Sequence, residues 1–422
     1  MSVVSSTLDS IESQTPPQTP SNPPRFAALR HRDFRLFWSG NLVSLIGTLA
    51  QQTALGWLMR TLTPNPFLIS VVAACGSAPI LLFTLPAGVV ADRVDKRRAL
   101  ILLNFLAAIL ALLLAALVFF QVAQIWHIAL ISVGVGIINA FDIPIRQSFN
   151  VEMVGRDDLP NAIALNSSAF NGARVAGPMV GGLLLRWVSM SGCFFINALS
   201  FFALIFQLGR METPRRESKP TPLKWNEMRD GFVWVNNHAT LRLVTILVAA
   251  VSLLAMSFGT LLPVFAKDVW RGDEGTFSFL MTCNGLGALG AAVSLAIAGK
   301  MRHAGKRLLL GAALFCACVV AFAASPSALV GGVFLILAGW FLLTFLMTAN
   351  TLVQTLAPDE LRGRVFSLYS LALIGTSPLG SLLIGALAHR MGTPQAVQVG
   401  AGLALIFVLA TWLRFRRLWK EK

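Results

Sequence analysis

The chain has 422 residues, of which 55% are hydrophobic and only 13% charged, against about 25% charged in an ordinary soluble domain. That is too little polar surface to cover a water-facing fold, and residues 99–141 contain no Asp, Glu, Lys or Arg at all. The net charge of +15 does not point to nucleic acid, because the basic residues sit in short loops between apolar stretches, which is the signature of membrane topology.

In chain order, residues 1–24 are rich in Ser, Thr, Pro and Gln. They read as a disordered cytoplasmic tail, without the apolar core of a signal peptide. Twelve spans follow, at about 35–60, 67–90, 99–120, 127–149, 159–185, 191–209, 241–265, 276–298, 307–324, 328–352, 362–387 and 394–415. Spans one to six make a bundle over residues 25–209, and seven to twelve a second bundle over 241–415. Between them, residues 210–240 hold Pro214, Pro220 and Pro222 and then an amphipathic stretch at 224–234. This predicts a cytoplasmic linker ending in a helix on the membrane surface. Residues 416–422 form a last tail.

An even number of spans puts both termini on one side. Loops and termini on that side carry 28 Lys and Arg, while the opposite loops carry 5: Arg60, Arg186, Lys267, Arg271 and Arg390. The asymmetry predicts a multi-pass protein of the bacterial inner membrane with both termini cytoplasmic. The five cysteines all lie inside apolar spans, and the five histidines are scattered. Buried thiols acting as small hydrophobes explain the former, and neither metal nor other cofactor is expected. No Gly-x-x-x-x-Gly-Lys-Ser/Thr phosphate loop occurs. No acid–base–nucleophile cluster occurs either, so an enzyme is not expected.

The halves repeat. Residues 156–159 read Arg-Asp-Asp-Leu and residues 358–361 read Pro-Asp-Glu-Leu, while Gly177-Pro178 corresponds to Ser377-Pro378. Each pair occupies the same place, before or within the fifth span of its half, and such duplication is characteristic of secondary transporters.

Two motifs carry more. The loop after the second span reads Gly88-Val89-Val90-Ala91-Asp92-Arg93-Val94-Asp95-Lys96-Arg97-Arg98. Ordinary topology explains the basic residues but not Gly88 and Asp92 four apart at a span's end. The fifth span contains Gly172-Ala173-Arg174-Val175-Ala176-Gly177-Pro178-Met179-Val180-Gly181-Gly182. Generic helix packing is the plain explanation of its glycines, and the Gly-Pro followed by Gly-Gly is more specific than that. The first motif resembles the signature loop of the major facilitator superfamily, with Asp95 where that family usually has Gly. The second resembles the superfamily's antiporter motif. Phe34 to Trp38, Gly56-Trp57-Leu58, Asp142 to Gln147 and Asp158 to Ala162 are similar to one subgroup. That subgroup is the drug:proton antiporter branch that includes the enterobactin exporter and macrolide efflux proteins. The resemblance runs the whole chain. It implies an all-α membrane protein with twelve transmembrane helices in two pseudo-symmetric six-helix bundles. It also implies proton-driven export of a siderophore or a hydrophobic or amphipathic drug. In the family the signature Asp docks at the cytoplasmic end of the eleventh span, here near Arg362, Gly363 and Arg364. A helix N-terminus is a suitable place for an acid. Gly88, Asp92, Arg93, Lys96 and Arg97 are the gating candidates on this basis, and Gly177, Pro178, Gly181 and Gly182 mark the exporter.

Periodicity supplies a candidate cavity. Span one places Asn41, Ser44, Thr48, Gln51 and Gln52 on roughly one face. Span four offers Ser132, Asn139 and Asp142, span seven Thr245, Ser252, Met256 and Thr260, and span ten Thr344, Thr348 and Thr351. Polar groups are costly against lipid, so these faces turn inward, either to line a cavity or to bond between helices. Asp142 is the one carboxylate well within a span, about 6 Å from its centre at about 1.5 Å per residue. Arg174 is the one base as deep. Asp142, Arg174 and Arg146 are therefore the proton-coupling candidates, with a structural ion pair as the alternative. The expected partners are a small-molecule substrate, protons and the lipid bilayer, for a chain that functions as a monomer. Uptake or facilitated diffusion, and a non-transporting scaffold or receptor, are the rival readings.

Overall fold

The computed structural model describes residues 26–155, 157–212, 232–298, 303–358 and 361–414. No strand occurs among them. The long helices are α1 (Arg32–Leu62), α2 (Pro66–Arg93), α3 (Lys96–Phe119), α4 (Ile125–Val154), α5 (Leu159–Trp187) and α6 (Met190–Gly209) in the first half. In the second half α7 (Ala239–Leu254) continues through a 3₁₀ stretch, Met256–Leu261, and a π-turn, Phe265–Val269. Then come α8 (Glu274–Ala298), α9 (Ala304–Ala323) and α10 (Ala328–Leu356). The eleventh helix, α11, runs as Arg362–Ser370, a π-turn at Leu371–Gly375 and Ser377–Met391, and α12 (Thr393–Arg414) completes the set. Each expected span falls on one of these helices. The tail at 1–24, the amphipathic stretch at 224–231 and residues 416–422 lie outside the described residues, while 232–237 are helical.

Local chemistry sets the helix ends. Asn65 caps α2 by accepting from the Phe67 N–H at 2.9 Å, with Pro66 at the first helical position. Asp95 caps α3 by accepting from the Arg98 N–H at 3.0 Å. This accounts for an acid where the signature loop usually has Gly. Gly155 ends α4 at φ 73° and Gly392 separates α11 from α12 at φ 91°, conformations that suit a residue without Cβ.

Among the described residues, eleven of the helices are long and apolar enough to cross a membrane. The exception is α5, which has the length, 29 residues, but carries Asn161, Asn166, Ser167, Ser168, Asn171 and Arg174. Lipid-facing surfaces are apolar: Leu102, Phe105, Leu106, Ile109 and Leu113 form an exposed stripe on α3. Such a stripe is a liability in water and ordinary in a bilayer. Phe119, Phe120, Trp126 and Trp187 are exposed at the end of the bundle away from Phe26 and Arg414, as aromatic residues at a membrane interface are.

The two halves pack alike. In the first, α2 lies along α4, α3 along α6 and α1 along α5; in the second, α8 lies along α10, α9 along α12 and α7 along α11. Between the halves the main contacts are α5 on α8 and α2 on α11. Lipid removes most of the hydrophobic drive for helix association, so close approach of small residues must supply it. This places the glycines of α5 at the seam.

Candidate functional site

Twelve crossings put the described ends, Phe26 and Arg414, on one face, here called the terminal face; the opposite side is the far face. The seam is tight toward the far face. A Cβ at Gly177 would overlap Leu49 of α1, and one at Gly181 would stand 3.0 Å from the Ala50 carbonyl oxygen. A Cβ at Gly182 would overlap Ser278 of α8, whose hydroxyl donates to the Pro178 carbonyl. Proline has no N–H, so the Arg174 carbonyl loses its helical donor, and that carbonyl lies against Gly285 of α8. The four residues of the antiporter motif are thus the surface on which α5 meets α1 and α8. The α2/α11 seam matches it: Gly385 meets Ser70, and Gly375 meets Leu81.

Beyond the glycines, side chains close the far face. Arg60 at the end of α1 makes a two-pronged ion pair with Asp268 in the π-turn of α7, its Nε donating at 2.8 Å. Lys267 stands 5.5 Å over the ring of Trp57, which stacks on Phe277 at 6.4 Å. Each of these contacts joins one half to the other. Near the terminal face, by contrast, Gly88 and Gly363 have nothing within 4 Å of where a Cβ would stand, and neither has Gly172 in the middle of α5.

The signature loop divides its work. Lys96 is buried and pairs with Glu152 of α4 at 2.7 Å. Arg97 donates to the carbonyls of Leu208 at 2.7 Å and Gly209 at 2.6 Å, satisfying the open C-terminus of α6. Arg93 is exposed. The side chains of Asp92 and Arg362 lie outside what the structure describes.

At depth, Asp142 and Arg146 form a bidentate pair, with Nε to Oδ2 and Nη2 to Oδ1 both at 2.8 Å. Arg146 also donates to Asn41 Oδ1 of α1 and lies 5.5 Å over the ring of Phe37. Both members stay partly accessible, at 17% for Asp142 and 23% for Arg146. Arg174 joins neither. Its polar contact is to Asn284 Oδ1 of α8 at 3.5 Å, across the seam.

The polar residues expected to line a cavity separate into three groups. Gln52 and Asn139 are exposed, and Thr48, Thr245 and Met256 are partly so. Gln51 turns away and accepts from Asn197 of α6 at 2.8 Å. Asn41, Ser44, Ser132, Ser252, Thr344 and Thr348 are buried. Ser252 donates at 2.7 Å to the Leu373 carbonyl in the π-turn of α11, and Thr344 and Thr348 donate to carbonyls of their own helix. In this conformation those three hold helices rather than face open space. Hydropathy did carry one overlooked signal: α5 is the least apolar span, and its Ser167, Ser168, Asn171 and Arg174 share the side that meets the second half.

A family model described as transmembrane secretion effector matches residues 24–421. The staphyloferrin A transporter of Staphylococcus aureus (strain NCTC 8325 / PS 47) is 25% identical over 405 residues, covering 92% of this chain and 97% of the relative. An enterobactin exporter of Shigella boydii serotype 4 (strain Sb227) is 24% identical over 391 residues, covering 90% of each. Among solved structures, a bacterial homologue of the human lysosomal transporter Spinster, inward-facing and unoccupied, superposes with a TM-score of 0.70. Its identity is 16%, over 95% of this chain and 98% of that one. An inward-facing bacterial homologue of the iron transporter ferroportin gives 0.68 at 18% identity, over 93% and 99%. At these identities the solved structures bear on the fold alone.

Proposed function

Because the chain belongs to the transmembrane secretion effector family of the major facilitator superfamily, we propose that this transporter exports a small molecule by proton antiport and alternating access. The substrate class is a siderophore or an amphipathic drug, carried out across a bacterial inner membrane with both termini cytoplasmic. The relatives' names support the siderophore arm, and the 28-to-5 distribution of Lys and Arg supports the orientation. The observation that carries the reading is the antiporter motif seated on two seams at once, α5 on α1 and α5 on α8. A rocking of the halves has to break and remake the α5–α8 part of that contact in every cycle, while α5 and α1 move together. The conformation described here is then inward-facing.

Asp142 is the coupling carboxylate of this proposal. A proton on Asp142 would leave Arg146 without its counter-charge, which in a bundle is costly. Asn41 and the Phe37 ring hold the guanidinium independently, so the cation keeps these contacts when the carboxylate is neutral. Substrate counterflow and substrate-driven proton movement in proteoliposomes test the reading. Wild type should do both, while Asp142→Asn at matched expression should keep counterflow and lose proton movement. Proton movement that survives in the mutant would rule out Asp142 as carrier. Absence of counterflow in wild type across siderophores and drugs would rule out export.

A further inference from the structure

Several basic side chains at depth or at span ends have compensating partners here: Arg146 has Asp142, Lys96 has Glu152, Arg60 has Asp268, and Lys267 has the Trp57 ring. Arg174 differs. Among the described residues it has no carboxylate partner, and its 3.5 Å contact to Asn284 is at the limit of a hydrogen bond. An uncompensated guanidinium inside a bundle is costly, and ionisable groups kept there serve a purpose by default.

Its setting is that of a binding group. Arg174 is partly accessible, while its backbone carbonyl packs against Gly285 of α8. One turn toward the far face, Pro178 is closed against Ser278. Asn171, on the same side of α5, gives its amide N–H to the Ser167 carbonyl at 2.9 Å, while its Oδ1 receives no hydrogen bond. A guanidinium with free donors matches an oxygen anion.

We propose that Arg174 is the anchor for a carboxylate of the transported molecule, with Asn284 beside it. The identity of that molecule as cargo rests on the export reading above. The rival is that Arg174 waits for an acid of the chain itself, Asp142 above all, in the other conformation. Oxygen anions are also what a chelator of a hard cation must carry, so the anchor selects within the two substrate classes.

The test uses the full chain in lipid nanodiscs, with citrate and 2,3-dihydroxybenzoate as probes beside their neutral methyl esters. Titration calorimetry should show each acid binding about tenfold or more tightly than its ester. Arg174→Gln should bring acid and ester within about twofold, and Arg174→Lys should keep part of the difference. The idea is overturned if ester and acid bind wild type equally, or if neither acid binds at millimolar concentration. An acid preference that survives in Arg174→Gln overturns it too. If Arg174→Gln does not fold, the lysine variant decides, since an undiminished preference there also overturns the anchor. Counterflow on the same preparations separates the two ideas. Acid binding without transport sinks export and leaves the anchor standing; transport without acid preference sinks the anchor alone.

Discussion

Toward the far face, α5 and α8 touch through Gly182, Ser278, Pro178 and Gly285, with an Arg60–Asp268 pair and a Trp57–Phe277 stack alongside. Toward the terminal face the same α5 exposes Ser167 and Ser168. One helix thus carries two surfaces with different physics. The far part is a steric fit of small residues, which gains dispersion only when backbones come within contact. The near part is polar, which is tolerable where water or substrate satisfies it. In a transporter that alternates, the far fit must be strong enough to exclude water yet weak enough to break. On the proposed cycle the terminal face needs its own closing contacts, and the charged loops are the candidates for them.

The largest effect should come from filling the far fit. Gly182→Leu would force a side chain into Ser278, an overpacking of about 1–3 kcal/mol, and the far-closed population should fall roughly 5- to 150-fold. Gly172→Leu, ten residues away where nothing stands within 4 Å, should leave the far face closed. Distances between spin labels on the far ends of α1 and α7 measure both. Equal distributions in the two variants would erase the distinction between the surfaces.

Next come two acids whose removal should act with opposite sign. Asp268→Asn weakens the far latch and should favour the state open on the far face. The pair is partly exposed, at 13% for Arg60 and 35% for Asp268, so screening limits the change to about 1 kcal/mol, a few-fold in population. Asp92→Asn removes the acid expected to dock at the start of α11 and should favour the state open on the terminal face, by a comparable factor. Label pairs on both faces of each mutant decide the matter, and shifts of the same sign would refute separate latches. Reversing the pair, Arg60→Asp with Asp268→Arg, should restore the wild-type distances.

These contacts differ in how far the sequence revealed them. The spans were legible because twenty apolar residues in a row have few other uses, and the boundaries fell within a few residues of the helices. The fifth-span glycines stood out in the sequence, but the residues that α5 meets across the seam did not: Ser278 and Gly285 belong to the other half, about a hundred residues away. The Arg60–Asp268 pair spans 208 positions, and no periodicity links such residues. The polar faces show a different limit. Gln51 and Gln52 are adjacent and so cannot share one side of a helix; the first meets Asn197 and the second is exposed. Helical spacing also could not foretell that Ser252 would serve a π-turn in α11, because the turn exists only in the folded bundle.

The smallest expected effect concerns how the far fit is aligned. Asp273 precedes α8, the helix that brings Ser278 and Gly285 to the seam. Its Oδ1 accepts from the Thr276 N–H at 2.9 Å and from the Thr276 hydroxyl at 3.0 Å. The Thr276 N–H holds the carboxyl below the usual carboxylate range, with the Thr276 hydroxyl, its own N–H and the charge of Arg186 assisting against partial desolvation. The group is largely solvated, so the gain after screening is about 0.5 kcal/mol. The sign follows from linkage. A carboxylate whose folded pKa is depressed adds stability above its unfolded pKa, near about 4, and loses it as pH falls through the lower folded value. Asp273→Asn keeps a cap acceptor and removes the charge, so it should unfold about a degree below wild type at neutral pH. The two midpoints should converge once acid protonates Asp273. Thermal unfolding of both proteins in the same lipid, at about pH 7 and pH 3, reads this directly. A gap that persists or widens in acid would mean the carboxylate charge does not stabilise the start of α8. The alignment of the far fit would then have to come from the seam itself.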